Sequence, residues 1–359
     1  MWRGGVLDSQ KRFIPNTFIH YGSGMVYNPD DIKYSNETVI YLGMFYKVWG
    51  HCITDNIRRL WFLKSDLYKK YFKGCKLIYI PFQDFDFKTN DRDLKRMLEI
   101  LDIDVNNFQI AKEVTQYKNI ILPDESFFTF TGAVDPRYFT PEYVEMIDQV
   151  RNFAVKQSNK FPSSPKKVYF FHGAKEQFGE ERLAEYFKSK GYTIIKGHEL
   201  SSFDEELNIL VNCDSFISTI GSSSTNVIFL RDNAEVILIP RAVFINGYQE
   251  AANSLHNLNI TYVDSSFSIF TDKRYPWVGP FCYILSENLL KYFGDANKSN
   301  FKYSESDFRI FINYLKNAST KKMSINPNAM QYYNEIFKNF INQLKQQKYL
   351  LKEEGIVIN

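Results

Sequence analysis

The sequence is short of several things that a chain of 359 residues can carry. Cysteine occurs four times, at Cys52, Cys75, Cys213 and Cys282, with no CxxC pair and no zinc-like spacing. Thiols so few and so scattered indicate a reduced, cytoplasmic protein rather than a disulfide framework. No run of ~18 apolar residues free of charge occurs, so no membrane-spanning helix is expected. The start, MWRGGVLDSQKRF, lacks the apolar core of a signal peptide, and no secretory leader is expected. An excess of one charge is missing too: 44 Lys and Arg against 41 Asp and Glu leave +3. That balance excludes a nucleic-acid binder that relies on bulk charge. With 17 Gly and 12 Pro, collagen-like and low-complexity classes are out.

Aromatic residues are abundant instead, 32 Phe, 24 Tyr and 4 Trp, or 17% of the chain. With 44% hydrophobic residues and a mean hydropathy of -0.33, the chain has the makings of large buried cores. At roughly 150 residues per domain the length suggests two domains.

Apolar β-branched runs alternate with segments of helical period, which predicts parallel sheets covered by helices. Strands are expected at Glu37–Phe45, Lys76–Pro81 and Asn119–Pro123, with helices near Trp49–Phe72 and Asp91–Leu101. The polar stretch SNKFPSSPKK, Ser158–Lys167, reads as a linker. Beyond it the pattern is more regular. Strands fall at Val168–Phe171, Tyr192–Lys196, Ser215–Thr219, Glu235–Pro240 and Ile260–Val263, with helices at Glu180–Lys190, Phe203–Cys213 and from Ser223. The expected organisation is a Rossmann-like domain over 1–160, a second over 161–285 and a helical segment over 286–359 packing on them. In that last segment Phe308–Leu315 and Ala329–Leu350 read as helices. Lys338, Lys345, Lys348 and Lys352 give the latter a basic opposite or flanking face, suited to solvent or to peripheral contact with an anionic membrane.

Two stretches carry chemistry. In Trp49–Trp61 (WGHCITDNIRRLW), a helical projection puts Ile53, Ile57, Leu60 and Trp61 on one face and His51, Asp55, Arg58 and Arg59 on the other. His and Asp four residues apart can hydrogen-bond, which fixes the imidazole tautomer for general-base work. The arginines suit anionic groups of a substrate. A solvent-facing helix whose charges pair locally fits the same spacing. The second stretch, Gly221-Ser222-Ser223-Ser224-Thr225-Asn226, joins an apolar strand to a helix start, where backbone N–H groups and hydroxyls suit a phosphate. It is neither a Walker loop nor a GxGxxG fingerprint, and an ordinary capped turn reads similarly. His172 and Lys175 follow the first strand of the second half, at the edge where open sheets bind ligands. Lys273-Arg274-Tyr275-Pro276-Trp277 is a candidate stacking platform, and Asp84-Phe85-Asp86, in a Phe-rich loop after the strand ending at Pro81, a weak DxD-like metal candidate.

In this order, the two stretches resemble the signatures of glycosyltransferase family 61. The first family signature, H-[WF]-[LI]-x-[DE]-x-x-x-[RK]-L-[WF], is matched by His51-Cys52-Ile53-Thr54-Asp55 and Arg59-Leu60-Trp61. The second, H-G-A-G-L-T-N followed by an apolar strand ending in proline, is matched by Gly221, Thr225, Asn226 and Val236–Pro240. Ile220 stands at its histidine, with Ser222 and Ser223 at its alanine and second glycine.

The resemblance implies a GT-B fold, two Rossmann-like domains facing a cleft, with the acceptor on the first and a nucleotide-sugar on the second. It implies an inverting transfer to a glycan or lipid-linked glycan in polysaccharide biosynthesis, of the capsular type. No cofactor, bound metal or nucleic-acid partner is expected, and the place of work is the cytoplasm or the inner face of its membrane. Asp55 or His51 would be the base. Gly221–Asn226 with His172 and Lys175 would bind the donor, and Arg58 and Arg59 the donor phosphate or an acidic acceptor. The serine-rich loop also resembles that of bacterial sialyltransferases, which use a CMP-sugar. A non-catalytic nucleotide-sugar-binding protein and an epimerase are the readings from other classes.

Overall fold

The computed structural model describes residues 4–15, 17, 32–82, 85, 92–127, 139–161, 163–173, 177–241, 247–267, 270–271, 281–296, 302–320, 324–325 and 342–346. The chain divides into two compact units, Met1–Pro162 with Ser201–Val211, and Ser163–Leu200 with Asn212–Asn359. Both are mixed α/β structures built on parallel sheets.

The first unit centres on β1 (Lys33–Phe45), flanked by β2 (Lys76–Pro81) and, beyond it, β3 (Phe108–Ile110), with β4 (Thr115–Ile121) on the other side. All the pairings are parallel. Val39–Phe45 is buried throughout, as expected of a central strand covered on both faces. Its register against β2 slips between Tyr41 and Gly43, and Gly43 takes φ +98° there, a conformation only glycine adopts cheaply.

Between β1 and β2 the single helix expected over Trp49–Phe72 is broken. One α-turn, α1 (Trp49–His51), leads into a π-turn (Cys52–Asn56), then a 3-10 stretch (Leu60–Lys64) and a second π-turn (Tyr68–Phe72). Side chains that seize backbone groups account for the first break. Asn56 Oδ1 accepts from Tyr46 N (2.8 Å) while its amide donates to Tyr46 O (2.9 Å). Thr54 Oγ1 donates back to Gly50 O (2.9 Å), a bond that bends helices. Helices α2 (Arg92–Ile100) and α3 (Pro141–Gln157) complete this part. The latter starts with Pro141 at its first position and buries Tyr143, Met146, Ile147, Val150 and Ala154, a stripe of helical period.

The second unit runs β5 (Lys167–Phe171), β6 (Gln177–Phe178), α4 (Glu180–Ser189) and β7 (Thr193–Lys196). After the chain passes through α5 (Phe203–Asn212), the second unit resumes with β8 (Ser215–Thr219), a 3-10 stretch (Ser223–Phe229), β9 (Glu235–Ile239), α6 (Gly247–Ser254) and β10 (Asn259–Tyr262). All but the last residue of α5 belongs to the first unit. There Phe203 meets Trp49 edge-on at 5.4 Å, and Asp204 takes two bonds from Arg96 (2.8 and 3.0 Å).

The five parallel strands lie in the order β10-β9-β8-β5-β7. Counted from β5 this is the doubly wound order 2-1-3-4-5, whose direction reverses between β5 and β8. Its core holds Tyr169, Leu183, Phe187, Ile217, Ile237 and Tyr283. A small sheet follows, in which Phe281–Tyr283 lies between β6 and β11 (Ser266–Phe267), and then come α7 (Glu287–Tyr292) and α8 (Glu305–Thr320). Of the helix expected at Ala329–Leu350, residues 342–346 are described and are helical. No described helix is long and apolar enough to cross a membrane.

Candidate active site

In the first unit, the turn after β1 lies inside the protein rather than on its surface. Asp55, Arg58 and Arg59 are 2–4% exposed. The projection that puts them on a solvent face assumes a regular α-helix, and the π-turn removes that assumption. His51 alone keeps an accessible side chain, 39% exposed, and its Nδ1 lies 2.6 Å from Asp55 Oδ2. An N–H at Nδ1 donated to Asp55 leaves Nε2 as the acceptor nitrogen. The imidazole stacks on the Tyr46 ring, centroids 4.7 Å apart. Burial, with Asp55 adding to it, pushes the Tyr46 hydroxyl well above its usual range, so it stays neutral.

The charges behind His51 balance. Arg58 reaches Asp55 Oδ1 (3.4 Å) and Glu125 Oε1 (3.1 Å), and Arg59 reaches the same Glu125 oxygen (2.8 Å) and the Pro123 carbonyl. Two guanidinium groups and two carboxylates thus share one buried network, which such groups need to be tolerated inside a protein. Burial lowers the basicity of Arg59, opposed by Glu125. The 123–126 segment is pinned over the turn: Ser126 N and Oγ both donate to Arg58 O (2.7 Å each), and Trp61 Nε1 donates to Asp124 O (2.8 Å). Tyr143 of α3 donates to Ile53 O (2.6 Å) from below.

In the second unit a different set of groups meets at the carboxyl ends of β5 and β8, where the strand order reverses. Such a point is where open α/β sheets receive ligands. His172 leaves β5 and places Nδ1 3.1 Å from Ser223 Oγ. Arg241 leaves β9 two residues beyond its end and comes so near Gly221 that a Cβ there would lie 3.2 Å from Nη1. The His172 ring would be 3.4 Å from the same atom. Glycine therefore lets two basic side chains close on the backbone. The Arg241 guanidinium lies over the Phe281 ring at 4.8 Å, and burial lowers its basicity.

The serine-rich run divides by burial. Ser222 and Ser223 are half-buried, whereas Ser224, Thr225 and Asn226 are buried. Ser224 Oγ accepts from Gly221 N (2.9 Å) and lies 2.8 Å from Gly221 O and 2.5 Å from Gln249 Oε1, so it shapes the turn. The α-helix expected from Ser223 is a seven-residue 3-10 stretch, which weakens any argument from a helix dipole. Underneath, the Glu180 carboxylate holds the His172 loop: its oxygens accept from His172 N (2.8 Å) and Gly173 N (2.9 Å), with Thr219 Oγ1 at 3.2 Å.

Of the residues singled out by sequence, His51, Asp55, Arg58 and Arg59 come together in the first unit, and His172 with Gly221 and Ser223 in the second. Lys175, Asp84, Asp86 and Lys273–Trp277 lie outside the described residues. Among the described residues, no group of three or more His, Cys, Asp or Glu side chains is arranged to hold a metal ion. Sequence reasoning missed Glu125, Glu180 and Arg241. Arg241 had a signal, a basic residue directly after the proline that ends a strand; Glu125 had none, since its partners are over 60 residues away.

A family model described as Glycosyltransferase 61 matches residues 49–237, more than half of the chain. The match opens beside His51, takes in the Gly221–Asn226 turn and ends within β9. No curated protein matches the chain. The chain belongs to glycosyltransferase family 61.

Proposed function

We propose that the protein transfers a sugar from a nucleotide-sugar to a hydroxyl of a glycan or lipid-linked glycan, with inversion, as a GT-B enzyme of polysaccharide biosynthesis. The first unit handles the acceptor and the second the donor. The observation that carries this reading is the His51–Asp55 pair, in which the imidazole is the accessible member and the carboxylate the buried one. His51 Nε2 takes the acceptor's proton as the anomeric carbon is attacked, and Asp55, held by Arg58, fixes the tautomer and balances the imidazolium that forms. Arg58 and Arg59 act through Asp55 and Glu125, since their burial leaves them little surface for a substrate.

Beside Gly221, Arg241 supplies positive charge and His172 a ring nitrogen to the departing phosphate. In this reading they take the part that a bound metal plays in other transferases.

The test measures sugar transfer and donor hydrolysis over a panel of UDP-, GDP-, CMP- and dTDP-sugars. His51→Ala should lower transfer by about 10²–10⁴-fold, the usual worth of a general base. Asp55→Asn should approach that loss, because its amide donates to Nδ1 and moves the ring proton to Nε2. Arg241→Ala should weaken the thermal stabilisation given by the donor while leaving the unliganded melting point near wild type. Full transfer by both first-unit variants, once their folding is confirmed, would remove this pair from the mechanism.

A further inference from the structure

The 66–74 segment, between the His51 turn and β2, carries an exposed surface apart from the residues of the candidate site. Its π-turn packs inward through Tyr68 and Phe72, which both meet the Phe62 ring, at 6.0 Å each. The other side faces outward, with Leu67 54% and Tyr71 62% exposed. These two residues lie four apart along the turn. Around them Lys69, Lys70 and Lys73 are exposed, and Lys70 lies over the Tyr71 ring at 5.0 Å. The acidic residue within the segment is Asp66, fully exposed and 3.6 Å from Lys69, a pairing that solvent weakens. Gly74, at φ +93°, ends the projection, and a side chain there would meet nothing within 4 Å.

Two outward apolar side chains ringed by lysines match the layered chemistry of a bilayer surface, acyl chains beneath and anionic headgroups above. A protein interface is depleted of lysine at its core and buries about 800 Å² on each partner, whereas here three lysines ring two apolar side chains. We infer that Leu67, Tyr71 and the three lysines dock the protein on an anionic membrane surface. This inference stands apart from the proposed reaction and survives its failure.

Co-sedimentation of the full chain with phosphatidylcholine vesicles, with and without phosphatidylglycerol, tests it. Wild type should bind the anionic vesicles and release as salt is raised. Lys69→Glu/Lys70→Glu/Lys73→Glu should abolish binding, each lysine contributing about fivefold. Leu67→Ser/Tyr71→Ser should lower binding at least about tenfold with the fold intact by circular dichroism, since both side chains are exposed. Wild-type binding by Leu67→Ser/Tyr71→Ser would assign any membrane contact to another segment and overturn the inference. So would failure of the wild-type chain to bind anionic vesicles.

Discussion

At the scale of single residues, the molecule separates groups that meet the outside from groups that hold them. His51 is accessible while Asp55 behind it is closed off, and His172 lies at the sheet edge while Glu180 beneath it is 1% exposed. Burial raises the pKa of Glu180, outweighing the two backbone N–H bonds that lower it. The native state then binds this proton more tightly than the unfolded chain does. The stabilisation linked to it is complete below about pH 4.3, the ordinary glutamate value, and is lost as pH rises through the raised native value. Urea denaturation across pH should show wild type losing ground to Glu180→Gln over that window. A stability difference independent of pH would mean that the carboxyl titrates alike in both states.

At the scale of elements, β1, β2, β8 and β9 lie within a few residues of where alternation of apolar runs puts them, because each is a central strand and β1, β2 and β9 carry continuous apolar runs. The helix α3 is equally legible in its apolar stripe and its Pro141, though the strand-and-helix reading above does not include it. The 49–72 helix is the instructive departure. Its periodicity is helical, but bonds from Asn56 and Thr54 to the backbone override it, and spacing carries no notice of such bonds. The entry to α4 depends on Gly179, at φ +86°, where a Cβ would come within 2.1 Å of the Tyr283 carbonyl oxygen. Gly179→Ala should cost about 1–3 kcal/mol for the backbone conformation alone, and more for displacing Tyr283. The measurement is the urea midpoint, and an unchanged midpoint would show that this turn relaxes without cost.

At the scale of the whole molecule, both units keep their thiols inside. Cys52, Cys213 and Cys282 are buried and Cys75 is half-buried; burial pushes the Cys213 thiol up to about 12. A disulfide-exchange reagent at pH 8 should therefore label Cys75 alone in the native protein and all four cysteines in urea. Rapid native labelling of a second cysteine would contradict this packing.

What the sequence by itself determined is local: alternating strands and helices, a His and an Asp one helical turn apart, and a small-residue turn after an apolar strand. These were readable because each lies within a few residues along the chain. Tertiary structure alone decided which charges are buried, by bringing Glu125 onto Arg58 and Arg59, and which basic groups meet Gly221, by running β5, β8 and β9 parallel so that His172 and Arg241 leave from one edge. The physical reason is that burial and parallel pairing join segments far apart in the chain, and spacing along the sequence does not encode which distant segment will arrive.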